Sequence, residues 1–158
     1  GMSSRLFQEV REKRGLCYSV FAFGTSYEDV GQLGVYAATS PDHTPELIDV
    51  TADVMLSMGR SVSEKEVARA KAQLKTSLVM NLESASSRAD QIARQYLAFG
   101  EVPDVKKLVN RIEAVEAENV RELAHDIFSS TRPSLSAVGQ LSTLASHSDI
   151  AARFISKS

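Results

Sequence analysis

The sequence predicts an α+β fold in which helices pack on one face of a mostly antiparallel sheet. Three observations predict it. Period-two patterning is confined to residues 17–39 and 135–138, helical patterning fills the long stretch between them, and the two kinds do not alternate as a βαβ chain would require. No self-similarity of repeat length and no low-complexity tract interrupts the order. At 158 residues one domain, 1–158, is expected, because a chain of this size buries roughly 70% of the surface its unfolded form exposes.

Residues 4–14 set Leu6, Phe7 and Val10 on one helical face, with Arg5, Gln8, Glu9 and Glu12 around the rest. Gly15 is read as the stop of this short amphipathic helix. From Cys17 to Tyr27 the β-branched and aromatic content rises, with Ser19, Phe21, Phe23 and Tyr27 on one side and Tyr18, Val20, Ala22 and Gly24 on the other. A tight Glu28-Asp29 turn is predicted before a second strand, Val30 to Thr39. Pro41 and Pro45 bracket a loop, and Leu47, Thr51, Val54, Met55 and Met58 mark a helix ending near Gly59.

Ser63 with Glu66 has the spacing of a capping box, and Val67, Ala70, Leu74 and Leu78 carry the next helix to about Asn81. Another helix is read over residues 86–99. Asp104 caps a short one whose Val105, Leu108, Val109 and Ile112 face inward. Val120, Leu123, Ala124, Ile127 and Phe128 define one more before Pro133 breaks the pattern, Leu135 to Val138 reads as a strand, and the tail is helical near residues 150–155. Three strands are thin cover for five or six amphipathic helices, so further strands are expected from a partner or from a missing piece of chain.

Composition removes several classes of function. A net charge of -2 offers no electrostatic attraction for nucleic acid or anionic lipid, and no apolar run reaches the length of a membrane span. Nucleic acid and membrane are therefore not expected partners. A soluble protein is expected, in the cytoplasm ahead of the periplasm or an organelle. The single cysteine, Cys17, has no partner for an intramolecular disulfide and reads as a buried thiol. His43, His125 and His147 are scattered, and "HTPEL" at 43–47 places Leu47 where an H-x-x-E-H motif needs its second histidine. No metal site, P-loop, dinucleotide fingerprint or G-x-S-x-G elbow is present.

Two residues invite a functional account. Arg11 flanks the apolar face of the first helix, and Tyr18 stands across the Gly15-Leu16 turn, the two together able to clamp a carboxylate or a peptide carbonyl. From spacing alone, a surface arginine and a packing tyrosine is the simpler account.

The residues around that pair carry a family resemblance. "SSRLFQEVREKRGLCYSV" followed by "TSYEDVGQLGVYAATSPD" resembles the second, carboxy-terminal domain of pitrilysin/insulinase-type zinc peptidases, most of all the mitochondrial processing peptidase subfamily and its bacterial relatives. The likeness continues more weakly through "SSRADQIARQYLAFGEVP" and "IEAVEAENVRELAHDIF" to "LSAVGQL". The first forty residues are specific, and the remainder is mainly helix pattern.

That resemblance implies a fragment, truncated at its amino-terminal end, of a zinc metalloendopeptidase. In such enzymes the amino-terminal domain holds zinc on the inverted motif, and the carboxy-terminal domain closes the cleft. It implies no catalytic residue and no metal ligand in this chain, and zinc only in the absent domain. It makes Arg11 and Tyr18 the matches of the family's R-x6-Y pair, which contacts substrate, with Tyr18 supporting the oxyanion. The implied partners are an amino-terminal zinc-binding domain or partner subunit and a peptide substrate. An uncovered apolar side is further expected to drive homo-oligomer formation. The alternative within the family is a non-catalytic scaffold, like processing-peptidase alpha subunits or respiratory core proteins.

Overall fold

A computed structural model describes residues 2–27, 29–102, 104–130 and 132–155. The chain divides into two compact units, Gly1–Ser61 with Arg121–Ser158, and Val62–Val120.

The first unit begins with a π-helix, Phe7–Glu12, preceded by an α-helical turn at Arg5 and Leu6. The sequence expectation was an ordinary amphipathic helix over 4–14. The difference is one of winding: Lys13 N–H reaches back five residues to Gln8 O at 3.0 Å, where an α-helix reaches back four. Gly15 then turns the chain with φ at 62°, its N–H donating to Arg11 O at 3.0 Å, and Leu16 N–H donates to Val10 O at 2.9 Å. Only glycine takes this left-handed conformation without a Cβ penalty. The turn inserts Leu16 and Cys17 into the interior beside Leu6, Val10 and Leu47.

Strands β1 (Ser19–Ser26) and β2 (Gly31–Ala38) follow as an antiparallel hairpin in the register Ser19↔Ala38 to Ser26↔Gly31. Tyr27 N–H closes the loop on Val30 O at 2.8 Å. The Glu28 half of the expected Glu28-Asp29 turn lies outside the described residues. Strand alternation puts Val20, Val35 and Ala37 against the Leu6–Val10–Leu16 cluster. Phe21, Phe23 and Tyr36 stand on the opposite face, Phe21 stacked on Tyr36 with centroids 5.1 Å apart and Phe23 lying over Gly34. That second face remains exposed.

Pro41–His43 form one 3-10 turn that leads into α1 (Thr44–Ser61). Leu47, Val50 and Val54 of α1 face the π-helix and hairpin. Ala52, Met55, Leu56 and Met58 face residues 124–128 of α5 (Ala117–Ser130) and Phe154 of the carboxy-terminal helix His147–Ile155. α1 ends at Ser61, near Gly59 as predicted, and Gly59 itself lies within its last turn. A Cβ there would stand 3.3 Å from the His125 backbone, so this glycine serves close helix packing. Leu123 departs from its expected inward position and is exposed, as α5 turns Ala124 and Phe128 inward instead.

Arg153 binds Asp53 at 3.0 Å and also Asp49, tying the last helix to α1. The expected strand at Leu135–Val138 is not formed. Residues 132–138 carry no regular structure and pair with neither β1 nor β2, which form the one strand pair among the described residues.

The second unit carries α2 (Glu64–Glu83), α3 (Ala85–Phe99) and α4 (Val105–Glu113). The capping box forms as read: Ser63 Oγ accepts from Glu66 N–H, and Glu66 accepts from Ser63 N–H at 3.0 Å. Ser84 and Asp104 cap the next two helices, and Gly100 ends α3 with φ at 73°. Lys75 and Lys71 of α2 both bind Glu113, the first through its carboxylate and the second through its carbonyl at 2.8 Å. Of the inward residues expected on α2, Val67 is buried, while Leu74 is exposed.

The Gly15 turn gives a direct test. Gly15→Ala meets no steric neighbour but forces an L-residue to positive φ, so it lowers stability by about 1 kcal/mol, read as a drop in the urea midpoint at unchanged slope.

Candidate substrate-contact site

The π-helix and the Gly15 turn together decide where Arg11 and Tyr18 go. Val10 is wholly buried and Leu16 nearly so, and the hydrogen bond between their backbones holds the end of the π-helix against the start of the hairpin. Arg11 leaves the helix next to this anchored point. Tyr18 follows it, its N–H donating to Ala38 O at 3.3 Å and its side chain 84% exposed.

The two side chains meet. The Arg11 guanidinium carbon lies 5.2 Å from the centre of the Tyr18 ring and 4.9 Å from that of Phe7. Such cation–π contacts contribute roughly 0.5–1 kcal/mol each at exposed sites. Among the described residues no oxygen bonds the Arg11 guanidinium, and the two aromatic rings are its side-chain neighbours.

The other arginines near this helix are differently employed. Arg5 donates to Ser57 Oγ at 3.3 Å, Ser61 Oγ at 3.0 Å and Ser61 O at 2.5 Å. Arg14 donates to Glu9 Oε2 at 2.7 Å and to Glu9 O at 2.9 Å. These residues line a groove of about 410 Å³ with Glu9, Val50, Asp53, Val54 and Ser57. Lys13 and Arg14 hold the Glu9 carboxyl below its ordinary range, Lys13 foremost. In that groove Arg14 pairs with Glu9, and Asp53 pairs with Arg153, whereas among the described residues no carboxylate pairs with Arg11.

Sequence reading had placed Phe7 with Leu6 and Val10 on the core face. Leu6 and Val10 do enter the core, but Phe7 is half-buried and lies against Arg11. The signal was available, because residues four apart on a helix are neighbours and an aromatic followed by an arginine at that spacing is a candidate cation–π pair. The histidines contribute nothing here. His125 backs Gly59, and His147 Nε2 lies 2.8 Å from Pro133 O. Among the described residues no three His, Cys, Asp or Glu side chains converge, and no helix is long and apolar enough to cross a membrane.

Cys17, one residue before Tyr18, is buried, and burial pushes its thiol up against the smaller opposing pull of Arg11. The folded protein therefore holds less thiolate at any given pH than a free cysteine does. Alkylation at pH 8 is expected to be at least about tenfold slower than for the urea-unfolded chain, with the rate rising as pH rises, followed by mass spectrometry.

Residues 1–74 match the family described as the Peptidase M16 inactive domain. An uncharacterized zinc protease of Streptomyces coelicolor is 39% identical over 142 residues, which is 89% of this chain and 31% of the relative. An uncharacterized zinc protease of Bacillus subtilis is 36% identical over 80% of this chain and 31% of its own length. The chain thus spans about a third of the length of the curated relatives it matches.

Among solved structures, a chain of complex III from Candida albicans superposes with a TM-score of 0.81 at 21% identity, covering 97% of this chain and 37% of the other. A conserved protein of Enterococcus faecalis superposes at 0.66 with 22% identity over 78% of this chain and 29% of its own. At such identities the likeness is one of fold, and it agrees with the α+β class. Residues 1–74 thus match the inactive domain of the M16 peptidase family, and bacterial proteins named zinc proteases are similar to this chain over 80–89% of its length.

Proposed function

We propose that this chain is the substrate-gripping, non-zinc part of a zinc-dependent metalloendopeptidase, a single domain that closes the cleft over a peptide and carries no zinc ligand of its own. One observation carries the reading: Arg11, with its charge uncommitted, and the exposed Tyr18 share one site, while neighbouring arginines are tied to oxygens. The bacterial relatives named as zinc proteases support it. In this reading zinc belongs to an amino-terminal domain or partner subunit, where it activates water.

The chemistry of this chain is electrostatic. Arg11 donates in-plane N–H bonds to a carboxylate or carbonyl of the bound peptide, and its fixed charge needs no proton transfer. Tyr18 donates its O–H toward the scissile region, where negative charge develops on oxygen. The exposed Phe21–Phe23–Tyr36 face and the open edges of β1 and β2 support a further part of the proposal, that the isolated chain self-associates. A cytoplasmic location completes the reading.

The fold likeness to a chain of complex III favours a competing account, a non-catalytic scaffold, which has no use for an uncommitted arginine beside an exposed tyrosine. A quenched-fluorescent peptide assay separates the two. The chain with zinc alone is expected to be silent, and the chain mixed with the zinc-bearing domain active and chelator-sensitive. Arg11→Ala and Tyr18→Phe are then each expected to lower kcat/KM by about tenfold or more. Silence in the mixture favours the scaffold, and variants as active as the parent return Arg11 and Tyr18 to a surface arginine and a packing tyrosine.

A further inference from the structure

Arg11 differs from Arg5, Arg14 and Arg153 in what holds it. Arg5, Arg14 and Arg153 are each held by oxygen acceptors, Arg14 and Arg153 by carboxylates. An acceptor oxygen positions a guanidinium but uses its donors and offsets its charge. An aromatic ring positions it through the π face, leaves the N–H groups unspent and leaves the charge intact. Phe7 is such a ring, 4.9 Å from the Arg11 guanidinium carbon.

Phe7 also has no other evident task. It belongs neither to the buried cluster of Leu6, Val10, Leu16, Cys17 and Leu47 nor to the apolar residues packed against that cluster. Its backbone sits at the first position of the π-helix and Arg11 at the fifth, a segment that Val10 anchors in the core. The ring is therefore on a fixed platform, whereas Tyr18, the other ring, is 84% exposed and sits on the far side of the Gly15 turn. Of the two rings, Phe7 is the one whose place does not depend on a surface side chain.

We propose that Phe7 is the positioning residue of the site. It holds the Arg11 guanidinium beside Tyr18 before a peptide arrives, so that the peptide's acceptor group meets donors already oriented. The benefit is preorganisation: a long, rotamer-rich side chain is ordered in the free protein and not at the expense of binding. The proposal rests on the substrate-contact reading of Arg11 given above. It adds a third residue to that reading and assigns it a role exerted through Arg11.

The test uses the full-length protein and two kinds of readout. In NMR, ring current is expected to displace the Arg11 Hδ and Nε–Hε resonances upfield. Phe7→Leu should move them toward ordinary arginine positions, and Phe7→Tyr should keep them displaced. In peptide hydrolysis, Phe7→Leu should lower kcat/KM by about threefold or more, Phe7→Tyr should restore it, and in an Arg11→Ala background Phe7→Leu should have no further effect. Thermal melting monitors folding, and Phe7→Met replaces Phe7→Leu if the latter does not fold.

Undisplaced Arg11 resonances in the wild-type protein overturn the proposal without any variant. Equal losses from Phe7→Leu with and without Arg11 overturn it as well, since Phe7 would then act on the fold. If Arg11→Ala hydrolyses peptide as well as wild type, the substrate-contact reading fails. The Arg11 resonances still report separately whether Phe7 holds the guanidinium.

Discussion

The Val10–Leu16 junction is the constraint on which the site depends. A single backbone hydrogen bond of 2.9 Å, closed over a glycine at positive φ, joins the end of a helix to the start of a hairpin. Both of its residues are buried, and burying a side chain of this size stabilises by roughly 1.5–3 kcal/mol. The junction therefore withstands the exposure of what surrounds it. Arg11 and Tyr18 sit on either side and inherit its geometry, which is how a long arginine side chain and an exposed tyrosine come to lie in a defined relation.

The π-helix belongs to the same construction. A helix that reaches back five residues is wider than one that reaches back four, and the extra residue in its turn must be compensated by contacts outside the helix. Here they are the burial of Val10 and the Arg14 side chain folding onto Glu9 O. Wide turns of this kind are frequent at functional sites because they re-aim side chains that a regular helix would point elsewhere. The hairpin, for its part, is covered on one face only. Val20, Val35 and Ala37 hold it to the core, while Phe21, Phe23 and Tyr36 stack on one another or over Gly34 in the open.

Elements with strong local signals were legible in the sequence. The capping box at Ser63 and Glu66, the Asp104 cap and the period-two alternation of the hairpin all depend on residues close together in the chain, and each formed as read. Elements decided by distant neighbours were not. Leu135–Val138 has strand composition but pairs with neither β1 nor β2, and a strand exists only through its partner. Gly59 lies near the end of α1 as read, but its close approach to the His125 backbone, far off in sequence, was not legible. The π winding of Phe7–Glu12 was likewise invisible, because the residues of an α-turn and a π-turn look alike until burial selects between them.

The candidate site divides along the same line. Its members Arg11 and Tyr18 were identifiable from the opening stretch, and the family match includes that stretch as well. What the sequence by itself determined is the class of fold and the position of most helices, and it singled out the pair as candidates, all from local pattern and residue chemistry. What only the tertiary structure decided is that Arg11 lies against the rings of Phe7 and Tyr18 while Arg14 pairs with a carboxylate. The physical reason is that these depend on distances between side chains, and those distances are set by the turn at Gly15 and by the winding of the helix before it.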